Sequence, residues 1–246
     1  MKTDNDQVTR WILPKPINDE KLDSCNLNRI LQTVLLRRGI DINKELDEYI
    51  TPSELPNPEL HFCELSNATK RIIEACKRNE QIAICGDYDA DGITSTVLLV
   101  ELLSIVGARV EPFIPSRQDE GYGLNMNMVN DIYKKKIKLI ITVDNGISAF
   151  DSINKINEYG IDLIITDHHK IPANKLNIHS LIHPERTPHN SPYKYLAGVG
   201  IAYLLANNIC EKLNYDINNT TAKVFFCIGT IADMAPLKGA NRKWLK

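Results

Sequence analysis

The sequence predicts an α/β fold: a doubly wound, mainly parallel five-stranded sheet, preceded by a small N-terminal helical extension. Three observations carry that expectation. Short apolar runs such as Leu139-Ile140-Ile141-Thr142-Val143 and Asp162-Leu163-Ile164-Ile165-Thr166 recur along the chain. They are apolar throughout rather than alternating, as in strands covered by helices on both faces. Stretches of helical length and periodicity lie between them, so strand and helix alternate.

Residues 1–60 read as a helical and extended leader, and 61–246 as the α/β domain. The leader's Trp11-Ile12-Leu13-Pro14 run, with Pro16 after it, is expected to lie extended. Over 26–38, Ile30 and Val34/Leu35 recur at helical spacing and Gly39 supplies a stop. A second short helix is expected over 43–50, before Thr51-Pro52, and Pro52, Pro56 and Pro58 then make a non-helical link. From Leu65 a basic amphipathic helix carrying Ala68, Ile72, Ile73 and Cys76 leads to the first strand. Strands are expected at 82–86, 109–114, 138–143, 161–166 and 180–183, with helices at 93–105, 125–135, 149–158, 196–213 and 220–232. Right-handed crossovers between parallel strands gather a ligand site at their carboxyl ends.

Composition limits the function classes. The 246 residues are 43% hydrophobic and 24% charged, enough for a sizeable core. A net charge of −2 gives no overall basic field, so any polyanion must be met by local patches. The cysteines (25, 63, 76, 85, 210, 227) contain no CxxC pair and suit reduced thiols. The first residues are too polar for a signal peptide, and no run of about eighteen apolar residues exists, so a cytoplasmic protein without membrane attachment is expected.

The chemistry collects after the strands. Asp87, Asp89, Asp91 and Gly92 mimic the opening of a calcium-binding EF-hand loop. The position that would need a bidentate glutamate is Leu98, and the entering segment is a strand, so the loop serves another purpose. Asp144-Asn145-Gly146 follows the third strand, Asp167-His168-His169 the fourth, and Asp233 sits near the end of the last apolar helix. Two carboxylates about 4 Å apart repel by roughly 4 kcal/mol at a partly screened surface. Several together therefore call for divalent counter-charge, and carboxylate oxygen with imidazole suits Mn²⁺ or Mg²⁺ better than zinc. Two such ions form the clamp used in phosphoester hydrolysis.

Each segment also has a structural reading. Asp144 alone could cap a helix, and Asp167 could either cap or orient a ring. Adjacent residues on an extended segment point to opposite faces, so one imidazole ligand and one imidazole substrate contact are expected from His168 and His169. Lys134, Lys135, Lys136 and Lys138 read as a solvated helix end. The glycine-punctuated segment 114–125 carries Arg117 and Tyr122, which with Asn145 are candidate substrate contacts. No phosphate-cradling glycine loop and no nucleophile elbow is found.

Taken in order, GDYDADGITST, VDNGIS, DHH and GTIADMAPL resemble the four motifs of the DHH phosphoesterases. WILP, LLRRGI, DEGYGLN and LAGVGIAYLLA extend the resemblance to that family's single-strand-specific 5′→3′ DNA exonucleases. The resemblance implies that Asp89, Asp91, Asp144, His168 and Asp233 hold one or two Mn²⁺ (or Mg²⁺) ions, with Asp91 and Asp144 bridging. It implies that His169 contacts the scissile phosphate and Asp87 supports metal or water. It also implies release of 5′ mononucleotides from single-stranded DNA in repair and recombination, with a single-strand-binding protein and a helicase as partners.

Two departures stand out. Cys85 replaces a histidine that binds metal in many members, and reads as core. The chain stops just after the fourth motif, where such exonucleases continue into DHHA1 and OB domains, so the DHH catalytic domain alone is expected. The alternatives are a phosphodiesterase of short oligonucleotides or cyclic dinucleotides, against which the leader counts, and an inactive binding module, against which the full acidic set counts.

Overall fold

The computed structural model describes residues 12–17, 27–41, 45–116 and 122–246, which divide into compact units Met1–Pro52 and Ser53–Lys246. In the first, α1 (Arg29–Arg37) begins where the Asn28 side chain accepts from Ile30 N at 2.8 Å. With α2 (Leu46–Ile50) it buries Leu35, Ile40 and Leu46. Trp11, Asn26 and residues 43–44 of the expected leader elements lie outside the described residues.

The second unit runs α3 (Leu65–Lys77), β1 (Gln81–Cys85), α4 (Ala90–Ile105), β2 (Arg109–Phe113), α5 (Met126–Lys134) and β3 (Leu139–Val143). It continues with α6 (Phe150–Glu158), β4 (Asp162–Thr166), β5 (Ser180–Ile182), α7 (Gly198–Lys212), α8 (Ala222–Ala232) and α9 (Gly239–Leu245). The five strands pair in the order β2-β1-β3-β4-β5, every neighbour parallel. Ile82, Ile84, Leu139, Ile141, Val143, Ile164 and Ile182 face α3, α4, α7 and α8. Ala83, Cys85, Ile140, Leu163, Ile165 and Leu181 face α5 and α6. Burying both faces explains why these strands are apolar without alternation. Cys85 is wholly buried there, and burial pushes its thiol pKa up, in keeping with a core role.

α4 is apolar on most sides because it lies against the sheet and packs on both α7 and α8. The sheet's edges are blunted. β2 carries Pro112, which cannot donate, and on β5 the Leu181 N–H is taken by Glu64 Oε2 at 2.5 Å. α9 departs from expectation. Its sequence is short and largely polar, but Ala240 and Trp244, one turn apart, meet the core, and Trp244 packs against Tyr203 and Phe226.

This strand order matters for function. The chain leaves β1 toward β2 on one side and returns to place β3 on the other, so a crevice opens between the carboxyl ends of β1 and β3. The acidic loops after those two strands flank it. No helix among the described residues is long and apolar enough to cross a membrane.

Candidate metal centre

Asp87 follows β1 directly and is fully buried; Tyr88 N donates to its Oδ1 at 2.5 Å, while Oδ2 has no aligned donor. Burial pushes its carboxyl above the usual range. Asp89 is the N-cap of α4, accepting from Gly92 N at 2.8 Å, and its side chain is exposed. Asp91, in the first turn of α4, is 3% exposed. Its two oxygens accept from Gly198 N at 2.7 Å and Val199 N at 2.8 Å. Ala197 gives α7 no side-chain cap, so a carboxylate from a distant helix satisfies that terminus and its positive dipole end.

This contact explains two glycines. A Cβ on Gly198 would lie 2.4 Å from Asp144 Cβ, and one on Gly229 would lie 2.3 Å from Thr94 Oγ1 and 3.0 Å from Asp91 Oδ1. Side chains at either position would drive α7 or α8 off the acidic cluster.

Asp144 is 1% exposed and sits in left-handed backbone (φ +61°) just past β3. Aspartate tolerates that region better than most residues, and such conformations gather at functional sites. His168 Nε2 lies 3.0 Å from Asp144 Oδ1 and 3.7 Å from Asp91 Oδ2. The closer approach lacks hydrogen-bond alignment, leaving Asp144 Oδ1 buried without a donor. Burial pushes Asp144 up to about 8 against the pull of His168. Burial opposes charge on His168, but Asp144, Asp233 and Asp91 outweigh it and raise the ring to about 9.

Asp233 is the C-cap of α8 and is exposed. Two groups of ligand atoms result, each within 4.8 Å internally: Asp91, His168 and Asp233, and Asp144, His168 and His169. Asp87 and Asp89 fall outside both, although Asp89 acts electrostatically on Asp144 and Asp233.

The expectation that His168 and His169 diverge needs correcting. β4 ends at Thr166, and Asp167 Oδ1 then accepts from both His168 N (2.8 Å) and His169 N (3.0 Å). The segment is therefore a turn rather than extended chain, and the rings come to 4.8 Å between centroids. Asp167 both caps and orients: Oδ1 also meets His169 Nδ1 at 2.7 Å, and Oδ2 accepts from Ile147 N at 3.0 Å. Burial works to raise Asp167, but the His169 ring and these N–H donors outweigh it and hold it below the usual range. The Asp167 partner raises His169 in turn.

Of the substrate-contact candidates, Arg117 lies outside the described residues. Tyr122 is at the site: its hydroxyl donates to Asp144 O at 3.4 Å and lies 3.5 Å from His169 Nε2. Asn145 has a structural role: its buried amide donates to Cys85 O and Val143 O and accepts from Leu124 N, tying β1 to β3 at the crevice, and the residue also lines the cavity beside His169.

Sequence reasoning missed the α7 amides, whose only trace was an uncapped Gly-Val-Gly helix start. It also missed His183, buried at the end of β5, whose Nε2 donates to His169 O at 2.7 Å while Nδ1 accepts from Glu185 N. Two cavities flank the histidines. One of about 300 Å³ is lined by Tyr122, Gly146, Ser148 and His169; another of about 340 Å³ by His168, Asp233, Lys194 and Tyr195.

Residues 81–230 match the sequence model of the DHH family, N-terminal domain. The single-stranded-DNA-specific exonuclease RecJ of Bacillus subtilis (strain 168) is 34% identical over 245 residues, 95% of this chain but 30% of that protein. The crystal structure of RecJ in complex with Mn²⁺ from Thermus thermophilus superposes with a TM-score of 0.72 at 29% identity, covering 92% of this chain and 32% of that one. A crystal structure of exonuclease RecJ bound to manganese gives a TM-score of 0.67 at 35% identity, covering 78% and 47%. The chain thus spans less than half the length of these proteins. The family match takes in β1 to β5 and the loops that carry Asp87, Asp89, Asp91, Asp144, His168 and His169. This chain belongs to the DHH family.

Proposed function

We propose that the chain is the catalytic part of a metal-dependent exonuclease that hydrolyses single-stranded DNA from the 5′ end to 5′ mononucleotides. In this reading residues 61–246 are the DHH catalytic domain and 1–60 a leader. The observation that carries the proposal is the pair of ligand groups sharing His168 at the switch crevice, with buried Asp144 Oδ1 lacking an aligned donor. Asp144, Asp91 and Asp233 share the single His168 ring, so the cluster keeps an excess of negative charge that a divalent cation offsets. Oxygen donors with imidazole fit Mn²⁺ or Mg²⁺, the ions carried by the solved RecJ relatives.

Asp91, Asp144, His168 and Asp233 would hold one or two such ions, with Asp89 at the exposed rim. A bound ion supplies positive charge to phosphoryl oxygens and acidifies water. The chain's own residues do the positioning. The α7 amides fix Asp91 whether or not an ion is bound, because both its oxygens are already engaged. Asp167 ties down Nδ1 of His169 and favours the protonated ring, leaving Nε2 turned toward Tyr122 and able to donate to a phosphoryl oxygen. Likeness to RecJ supports the choice of single-stranded DNA; 5′→3′ polarity, a cytoplasmic role in repair and recombination, and a single-strand-binding protein and helicase as partners belong to the proposal through the motif resemblance.

The test is to incubate the protein and Mn²⁺ with 5′-labelled single strand, duplex and dinucleotide. Mononucleotides from the single strand, lost in Asp144→Ala, are expected. Turnover of dinucleotide alone would shift the reading to a short-oligonucleotide phosphodiesterase. Equal silence from wild type and variant would reject hydrolysis.

A further inference from the structure

α8 closes with a Schellman motif: Met234 N donates to Ile231 O and Ala235 N to Thr230 O, both at 3.1 Å. The residue one past the C-cap must then be left-handed, and Met234 has φ +54°. At the equivalent position α1, α4 and α6 place Gly39, Gly107 and Gly160, and α3 and α7 place Asn79 and Asn214, the residue types that conformation favours. α5 places the solvated Lys136 there, and among the described residues that are left-handed at this position only Met234 carries an apolar side chain. Met234 gains nothing for the fold in return, being 86% exposed. It adjoins Asp233 and lines the cavity of about 340 Å³ that opens beside the metal centre. The same cavity lining includes Tyr195, 40% exposed, and Lys194. Among the described residues no carboxylate pairs with Lys194, and apart from His168 it is the one cationic group lining the cavity, which also carries Glu185 and Asp233. The volume suits a nucleotide-sized ligand.

We propose that Met234 and Tyr195 form a platform for a nucleobase of the single strand next to the scissile phosphate, with Lys194 meeting a neighbouring phosphate. The inference rests on the hydrolytic reading of the adjacent centre and names how the strand is held there. A flat aromatic and a soft, adaptable thioether bind any base without reading sequence. A backbone strain kept at a site rim, with no packing return, is what such a contact would maintain.

The test measures binding of a fluorescent phosphorothioate oligo-dT, which resists hydrolysis, to the whole protein with Mn²⁺ present. Tyr195→Ala is expected to weaken binding about five-fold or more. Met234→Gly is expected to weaken it about three-fold while its unfolding midpoint stays at or above that of wild type and Mn²⁺ affinity is unchanged. Lys194→Ala should make the log–log salt dependence shallower by about 0.7. Variants that bind like wild type, or a loss in Met234→Gly that tracks lost Mn²⁺ affinity, would overturn the platform. So would a wild type that binds no strand, and if it still hydrolyses bis(p-nitrophenyl) phosphate with Mn²⁺ the hydrolytic reading survives alone.

Discussion

Asp144 shows how one side chain can be expensive to the fold while standing at the middle of the proposed site. It is buried beside Asp91, and both it and His168 hold their protons to higher pH than they would in an unfolded chain. The folded state therefore binds more protons than the unfolded state between about pH 4 and 8 at Asp144 and between about pH 6.5 and 9 at His168, so stability falls as pH rises across those windows. With a chelator present, the unfolding midpoint should drop between about pH 6 and pH 9, and Asp144→Asn should flatten that drop. The same variant should lose hydrolysis by about a hundred-fold or more, because its amide cannot neutralise a divalent ion. Calorimetry across pH and a nuclease assay check the two halves. Asp167→Asn tests the other imidazole. Losing the carboxylate partner should lower the His169 pKa, moving the alkaline limb of the rate profile to lower pH while Mn²⁺ affinity changes little. The motif residues were legible from sequence because charged groups at strand ends are conspicuous. The structural role of Asn145 was not legible, because an amide that satisfies three backbone groups looks, in sequence, like any other polar residue.

At the scale of elements, α4, α7 and α8 form the wall on which the centre is mounted. Gly198→Ala would put a methyl 2.4 Å from Asp144 Cβ and push the α7 amides off Asp91. We expect a destabilisation of about 1–3 kcal/mol and a fall in Mn²⁺ affinity of about ten-fold or more. Urea unfolding and metal titration would read these out, and an unaltered Mn²⁺ affinity would mean the α7 amides do not position Asp91. β1, β3, β4 and β5 were legible to within a residue or two because both their faces are buried and their runs are almost wholly apolar; edge strand β2, with Arg109 and Glu111, was placed by the alternation of strand and helix. α4 starts at Ala90, earlier than its apolar run suggests, because Asp89 is its N-cap and Asp91 its first-turn acid. α7's contribution was hidden for a different reason. Its donors are backbone amides, which leave no mark on residue identity, and α9 was hidden because it is short, with only Ala240, Trp244 and Leu245 meeting the core.

At the scale of the molecule, the order β2-β1-β3-β4-β5 brings loops far apart in sequence to one crevice, and the price is a concentration of negative charge. An ion that binds only the folded state stabilises it by mass action, by about 2.7 kcal/mol at a hundred times its dissociation constant. For a chain of this length that raises the unfolding midpoint by about 5 °C or more, and Asp144→Asn should abolish most of the rise. The fold class was legible because alternation of strand and helix leaves few topologies. The position of the switch crevice followed from the strand order, which only the structure supplied. The central claim is that divalent ions sit among these carboxylates. Anomalous diffraction at the manganese edge from crystals grown with Mn²⁺ tests it most directly. One or two peaks bounded by Asp89, Asp91, Asp144, His168 and Asp233 are expected; a well-ordered crevice with those side chains in place and no peak between them would mean that no divalent ion is held there.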